Sequence, residues 1–286
     1  MAAWPAIAVA RAHDASRRAP FFVGETGAMS LTVGSVAHAH LPALRRWPHW
    51  LQVDERAVTL HCAAAARGDA MAAIHDALRR DGLIVAWRDE AFALLTVDGE
   101  ATGVLIERAA ARFWGSLTLG AHCNGYVADA SGRPAQLWIA RRSLTKATDP
   151  GKLDNLVGGG VPAGQSPRET VIREAWEEAG LAPAQLRSLA RGRVLGLLRD
   201  IPEGLQREWI HVYDLAMPAG MTPRNQDGEV AELALHPLPQ ALALAAGSEM
   251  TVDASLVTLD FALRHRLLDD ADVAARAAAL FGGQAA

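Results

Sequence analysis

Glu174, Glu177 and Glu178 stand at i, i+3 and i+4 just after a run of glycines, and no other stretch of the 286-residue chain gathers as much potential chemistry. On a helix their carboxylates share one face. Like charges at that spacing repel, so the face is either bathed in solvent, the ordinary reading for a surface helix, or built for a divalent cation. Hard cations such as Mg2+ take carboxylate oxygens together with retained water and substrate phosphates. Two neighbours favour the cation. Gly158, Gly159, Gly160 and Gly164 permit a tight turn and a close approach of backbone to a ligand, and Arg173 adjoins the trio. Ser166-Pro167-Arg168-Glu169 has the form of a capping box with proline in the first helical position. The helix is therefore expected from near Pro167 to about Gly180, a residue suited to end it.

Gly159, five residues, position 165, seven residues and then Arg173-Glu174-Ala175-Trp176-Glu177-Glu178-Ala179-Gly180-Leu181 resembles the Nudix box, Gly-x5-Glu-x7-Arg-Glu-U-x-Glu-Glu-x-Gly-U with U aliphatic. The sequence departs from it at Gln165, where the family usually has glutamate, and Ala175 is small for an aliphatic place. The resemblance implies that Glu177 and Glu178 bind Mg2+ or Mn2+ with help from the Gly159 carbonyl. It makes Glu174 a further ligand or the base that activates water, and Arg173 the group that orients the glutamates. The implied reaction is metal-assisted attack of water on a diphosphate, without a covalent nucleophile. Gln165 still accepts and donates hydrogen bonds but removes one negative charge, which bears on metal number and rate more than on reaction type.

Outside the box, His122–Val127, Leu137–Ser143, Lys146–Asn155 and Pro223–Val230 resemble the Nudix portion of fungal thiamine pyrophosphokinase and its relatives with an uncharacterised N-terminal domain. The likeness extends to Trp87–Glu90, Glu107-Arg108, Tyr213–Leu215 and Asp260–His265, spanning Phe21 to Asp269. It implies hydrolysis of oxidised thiamine diphosphates, the oxo and oxy forms, to monophosphates. The residues themselves are compatible with this. Arg141, Arg142, Lys146 and Lys152 place positive charge just before the glycine loop, where diphosphate oxygens need neutralising; for each, a solvated basic edge is the alternative. Trp138, Tyr126 and His122 offer rings for a heteroaromatic substrate, although alternate strand residues more often face a core. Glu229, with Glu232 behind it, follows an Asp-Gly turn and is the candidate to complete the metal shell or act as base. Three rivals stand beside this reading: a hydrolase of nucleoside diphosphate derivatives such as ADP-ribose or NADH, a non-hydrolytic thiamine or nucleotide sensor marked by Gln165, and an isopentenyl diphosphate isomerase using Cys123.

The elements that must position these groups fall into two expected domains, residues 1–115 and 116–286. The fold class is α+β: a C-terminal α/β/α sandwich of the Nudix type around a mixed sheet, preceded by a small α+β unit. In the first domain we expect strands at Phe21–Val23 and Met29–Val33 around the turn Gly24–Gly27, a helix capped by Ser35 and ending before Pro48, and a hairpin of Leu51–Val53 with Ala57–Leu60. An amphipathic helix starts at Asp69, buries Met71, Ile74, Ala77 and Leu78, and stops at Gly82. Strands follow at Leu83–Trp87, Phe92–Thr96 and Gly103–Ile106, with Trp87–Glu90 closing over the substrate ring. In the second domain strands are expected at Ala121–Ala128, Gln136–Arg141, Leu153–Val157, Val194–Arg199, Trp209–Leu215 and Val230–Leu235. Helices are expected at Pro239–Ala246, Ser255–His265 and Asp270–Phe281, the last stopped by Gly282-Gly283.

With 50% hydrophobic and 21% charged residues the chain has the proportions of a soluble globular protein. A net charge of −4 without a basic run argues against a nucleic-acid partner, and no apolar run of about 18 residues suggests a membrane span. The first residues lack a basic stretch ahead of their apolar run and make a poor signal peptide. Cys62 and Cys123 form no Cys-x-x-Cys pair, so reduced thiols and a cytoplasmic location are expected. The expected partner is a small-molecule diphosphate, with a homodimer left open.

Overall fold

The computed structural model describes residues 4–24 and 30–281. The expected turn at Gly24–Gly27 and the first residue of the Met29 strand fall largely on residues 25–29, and the Gly282-Gly283 stop on the last five, outside the described residues. After a short helix α1 (Ala6–Val9), strands β1 (Arg18–Val23) and β2 (Leu31–Ala37) pair antiparallel. Ser35 lies inside β2 opposite Pro20 and accepts a hydrogen bond from Arg18 Nε at 2.9 Å, so it caps no helix. Burial of Val33 and Val36 holds this segment in the sheet, and the helix that follows is reduced to α2 (Leu41–Leu44). The hairpin of β3 (Leu51–Val53) and β4 (Val58–Leu60) forms as expected, with β4 parallel to β1.

Helix α3 (Arg67–Arg80) buries Met71, Ile74 and Leu78 as read from the sequence, but His75 joins that face while Ala77 is only half-buried. His75 accepts a hydrogen bond from Trp114 Nε1 at 2.8 Å, and burial pushes its pKa down to about 3, so the ring is neutral. The expected strand at Leu83–Trp87 does not form. The amides of Leu83 and Ile84 close back onto the Leu78 carbonyl, and Ala86 and Asp89 have φ of +58° and +56°, outside extended geometry. Strands β5 (Ala91–Leu95) and β6 (Ala101–Glu107) then make a hairpin, followed by α4 (Ala110–Trp114).

The larger sheet is organised on β7 (Leu117–Ala128). The remaining strands are β8 (Pro134–Arg142), β9 (Leu153–Asn155), β10 (Val157–Gly160), β11 (Ala190–Ile201), β12 (Gly204–Ala216) and β13 (Val230–Pro237). One edge of β7 runs parallel to β12, which pairs antiparallel with β11. Its other edge is shared in sequence: Leu117 pairs with Leu95 of β5, residues 120–123 with β10, and 125–128 with β8, which also holds β9 and β13. The hairpin β5–β6 thereby extends the large sheet beside the glycine strand.

Side chains alternate between the two faces. Cys123, Trp138, Tyr213 and Leu215 pack on one side beneath α5 (Pro167–Ala179), with Val171 and Ala175 of that helix. Leu137, Ile139, Ile210 and Val212 face the other, covered by α1, α6 (Leu238–Ala245) and α7 (Val252–Arg264), while α8 (Ala271–Ala278) adds Val273 and Ala277 to the same core. The result is the expected α+β architecture with a mixed sheet between helices. Beneath α7 lies a buried polar knot: Arg264 reaches Asp214 at 2.5 and 3.0 Å and Asp260 at 2.6 Å, and Asp214 also takes Asn124 Nδ2 and His265 Nε2, each at 3.1 Å.

Candidate active site

Helix α5 begins and ends as its sequence requires. Ser166 Oγ accepts from Glu169 N at 3.2 Å while Glu169 Oε2 takes the Ser166 amide at 2.8 Å, and Gly180 closes the helix at φ +65°. The turn leading in is anchored across the molecule, because the Ala163 amide donates to the Ala91 carbonyl of β5 at 2.8 Å.

Of the three glutamates, Glu174 and Glu178 face β10 and Glu177 lies at the rim. Arg173 donates to both Glu174 Oε1 at 2.8 Å and Glu177 Oε2 at 2.6 Å. Gln165 Oε1 accepts from Thr170 Oγ1 at 3.1 Å and from Arg173 Nε at 3.5 Å, so the amide keeps the acceptor that a glutamate would supply there. Glu178, only 5% exposed, accepts the Gly158 amide at 2.9 Å. Lys146 Nζ lies 3.7 Å from Glu178 Oε1 and against Glu229 Oε2. Burial pushes the Glu178 pKa up to about 8 against the pull of Lys146, raises that of Glu174 against the pull of Arg173, and lowers that of Lys146.

Among the described residues no three His, Cys, Asp or Glu side chains converge to hold a metal by themselves, since Arg173 and Lys146 occupy the carboxylates. The donor chemistry nevertheless fits a hard divalent cation. Glu174, Glu177, Glu178 and the Gly159 carbonyl are all oxygen donors, and burial disfavours the bare charge on Glu174 and Glu178, which a cation would offset. Glu174 and Gly159 already share one place: a Cβ built on Gly159 would lie 2.2 Å from Glu174 Oε1. Gly159→Ala is therefore expected to displace Glu174, costing about 1 kcal/mol of stability but at least about ten-fold in hydrolytic rate. Melting temperature and initial rate measured on the same preparation check this.

The other expected site residues separate. His122 is buried under the loop, its ring 2.7 Å from where a Gly158 Cβ would be and its Nδ1 3.0 Å from Asn155 Oδ1. Arg142 is held by Asp154 at 2.8 Å and by the Thr148 carbonyl, Arg141 by the Gly151 carbonyl and Glu232, and Lys152 by Asp149 at 2.9 Å. Of the four cations before the glycine loop, Lys146 is the one that pairs with the acidic helix. Trp138 packs in the core beneath α5, and Tyr126 meets Phe261 and His265 on the opposite face. Cys123 is buried in the same apolar core, which drives its thiol pKa upward, the reverse of what a proton-transferring cysteine needs.

Trp87 turns toward α3, with the Arg79 guanidinium 4.5 Å from its ring, while its neighbour Arg88 faces the glycine strand. Phe92 and Arg108 stand there too: a Cβ on Gly160 would lie 2.7 Å from Phe92 and 3.4 Å from the Arg108 guanidinium. Glu90 fixes Arg108 at 2.7 Å, and burial together with Arg108 and Arg142 lowers the pKa of Arg88. Arg88 and Arg108 both lie in stretches read from the sequence, Trp87–Glu90 and Glu107-Arg108, and the hairpin β5–β6 beside β7 brings them to the site. A cavity of about 330 Å3 opens beside Gly160 between the two units.

This fold and site coincide with known families. Residues 120–254 match the family model of the NUDIX domain, and residues 5–117 that of a Domain of unknown function (DUF4743). The chain thus carries a NUDIX domain. It is 38% identical over 202 residues to Nudix hydrolase 20, chloroplastic, of Arabidopsis thaliana, covering 70% of this chain and 53% of that protein. With Nudix hydrolase 24, chloroplastic, of the same plant it shares 38% over 205 residues, 71% of this chain and 55% of the other. The chain spans about half the length of the curated relatives it matches. A crystal structure from Deinococcus radiodurans, 27% identical, covers 60% of this chain and 99% of its own, with a TM-score of 0.46. No helix among the described residues is long and apolar enough to cross a membrane.

Proposed function

We propose that this protein is a Mg2+-dependent diphosphohydrolase acting on oxidised thiamine diphosphates, with products thiamine-type monophosphate and phosphate. The observation that carries the reaction is the geometry of α5 against β10, where Arg173 bridges Glu174 and Glu177 while Glu178 is bound to the Gly158 amide. A bound divalent cation would offset phosphate charge and lower the pKa of water. The chain itself orients the acids through Arg173 and presents Lys146, Arg88 and Arg108 to diphosphate oxygens. It also offers two carboxylates, Glu174 and Glu229, to take the proton from attacking water. Glu174 stands closer to the glycine strand, where a Cβ on Gly159 would meet its Oε1, and Glu229 pairs with Lys146.

The substrate rests on the resemblance outside the box. The proposed division into residues 1–115 and 116–286 gives the first unit a role there through Arg88, Phe92 and Arg108. Two free thiols suit a reducing compartment such as the cytoplasm. The acceptor role kept by Gln165 weighs against a sensor that binds without turnover. Incubation with Mg2+ and oxothiamine diphosphate, thiamine diphosphate, ADP-ribose, NADH or diadenosine tetraphosphate, with all products quantified, should show fastest cleavage of the oxidised thiamine compound, to its monophosphate and phosphate. Preference for a nucleotide would discard the substrate and keep the chemistry. Binding without product, with Mn2+ also supplied, would discard both.

A further inference from the structure

The cavity beside Gly160 has two chemically different ends. Arg88 and Arg108 line it next to the glycine strand. Gln206, Glu208 and Asp253, on β12 and the first turn of α7, line it further in. That side holds Arg112 and Arg199 beside the acids, and one amide is shared among several acceptors. The Gln206 amide serves both Glu208 Oε2 at 2.9 Å and the two Asp253 oxygens at 3.3 and 3.2 Å. Arg112 adds one bond to Glu208 Oε2 at 2.9 Å, and its buried Nη1 finds no partner. Burial and the neighbouring Glu208 raise the Asp253 pKa against the pull of Arg199, His122 and Arg112, whereas Arg112 and Gln206 hold that of Glu208 down.

We infer that this cavity holds the organic half of the substrate, with Asp253 and Glu208 accepting hydrogen bonds from an N–H edge of its nitrogen heterocycle while Arg88 and Arg108 face the diphosphate. A cavity of this size holds one ring system of a small ligand, and its two ends are spaced along one molecule that is anionic at one end and hydrogen-bond donating at the other. The inference rests on the proposed function, since the amino-bearing pyrimidine of an oxidised thiamine has such an edge. A carboxylate served by a shared amide disfavours a ring lacking that donor, because the acceptor then stays underpaired.

The test compares oxothiamine diphosphate with its 4-desamino pyrimidine analogue in the full-length protein with Mg2+. Wild type should show KM at least about ten-fold higher for the desamino compound, with kcat little changed. In Asp253→Ala, checked for folding by its melt, that ratio should fall toward one. Equal KM values in wild type overturn the inference while hydrolysis of oxothiamine diphosphate upholds the proposed function. A large ratio that Asp253→Ala leaves unchanged places the ring elsewhere and also overturns it. Hydrolysis of neither compound overturns both.

Discussion

Glu178→Gln is expected to slow diphosphate hydrolysis by about a thousand-fold or more, ~4 kcal/mol of barrier, while the protein melts within a few degrees of wild type. The two halves of this expectation have separate causes. The carboxylate is the most buried of the three on α5 and sits between the Gly158 amide and Lys146, so its negative charge is the part of the site that an amide cannot reproduce. Shape, on the other hand, is retained: the amide oxygen still accepts from Gly158, and Lys146 keeps Glu229. Burial disfavours the bare carboxylate, so its charge contributes little to stability, and the loss falls on chemistry, where a bound cation would favour the ionised form. Rates with saturating Mg2+ beside a thermal melt decide the matter; a variant that turns over normally would remove Glu178 from the mechanism.

Asp214→Ala is expected to destabilise the fold by about 3–5 kcal/mol, a fall in melting temperature on the order of 10 °C. Asp214 accepts from Arg264, His265 and Asn124, all gathered under α7, and is itself 3% exposed. Its removal leaves the Arg264 charge with Asp260 alone in a largely buried site. The pair as a whole need not favour stability over a well-packed apolar replacement, but one half without the other does not solvate itself. Chemical denaturation of the variant measures the effect, and a loss below about 1 kcal/mol would mean that the knot is open to solvent.

The parts of the molecule legible in the sequence are those fixed locally. The capping box at Ser166, the Gly180 stop, the acidic face of α5 and the apolar stripe of α3 each depend on residues within a few turns of one another, and each stands where its spacing put it. The segment at Leu83–Trp87 has strand-forming residues but is captured by the end of α3, and positive φ at Ala86 and Asp89 then breaks its extension. The cations illustrate a second limit. Arg141, Arg142, Lys146 and Lys152 look equivalent on paper; which of them reaches the acids depends on carbonyls and carboxylates elsewhere, such as Thr148, Gly151 and Asp154, that claim the others first. Arg88 and Arg108 lie in stretches the sequence does single out, Trp87–Glu90 and Glu107-Arg108, but their individual place at the glycine strand depends on contacts across the molecule.

The pairing of β5 with β7 has a consequence for how the chain can be divided. The free edge of β7 is closed by three separate pieces of chain, one of them arriving from before residue 117. A cut at the start of β7 would remove the β5 partner of Leu117, the Ala91 carbonyl that receives Ala163, and the ring of Phe92 that backs Gly160. The piece left behind would keep every residue of its catalytic helix, yet present raw strand edge to solvent and to other copies of itself. The unit that folds is therefore larger than the unit that carries the motif, and the first hundred residues serve as a splint for the second half before they serve any ligand.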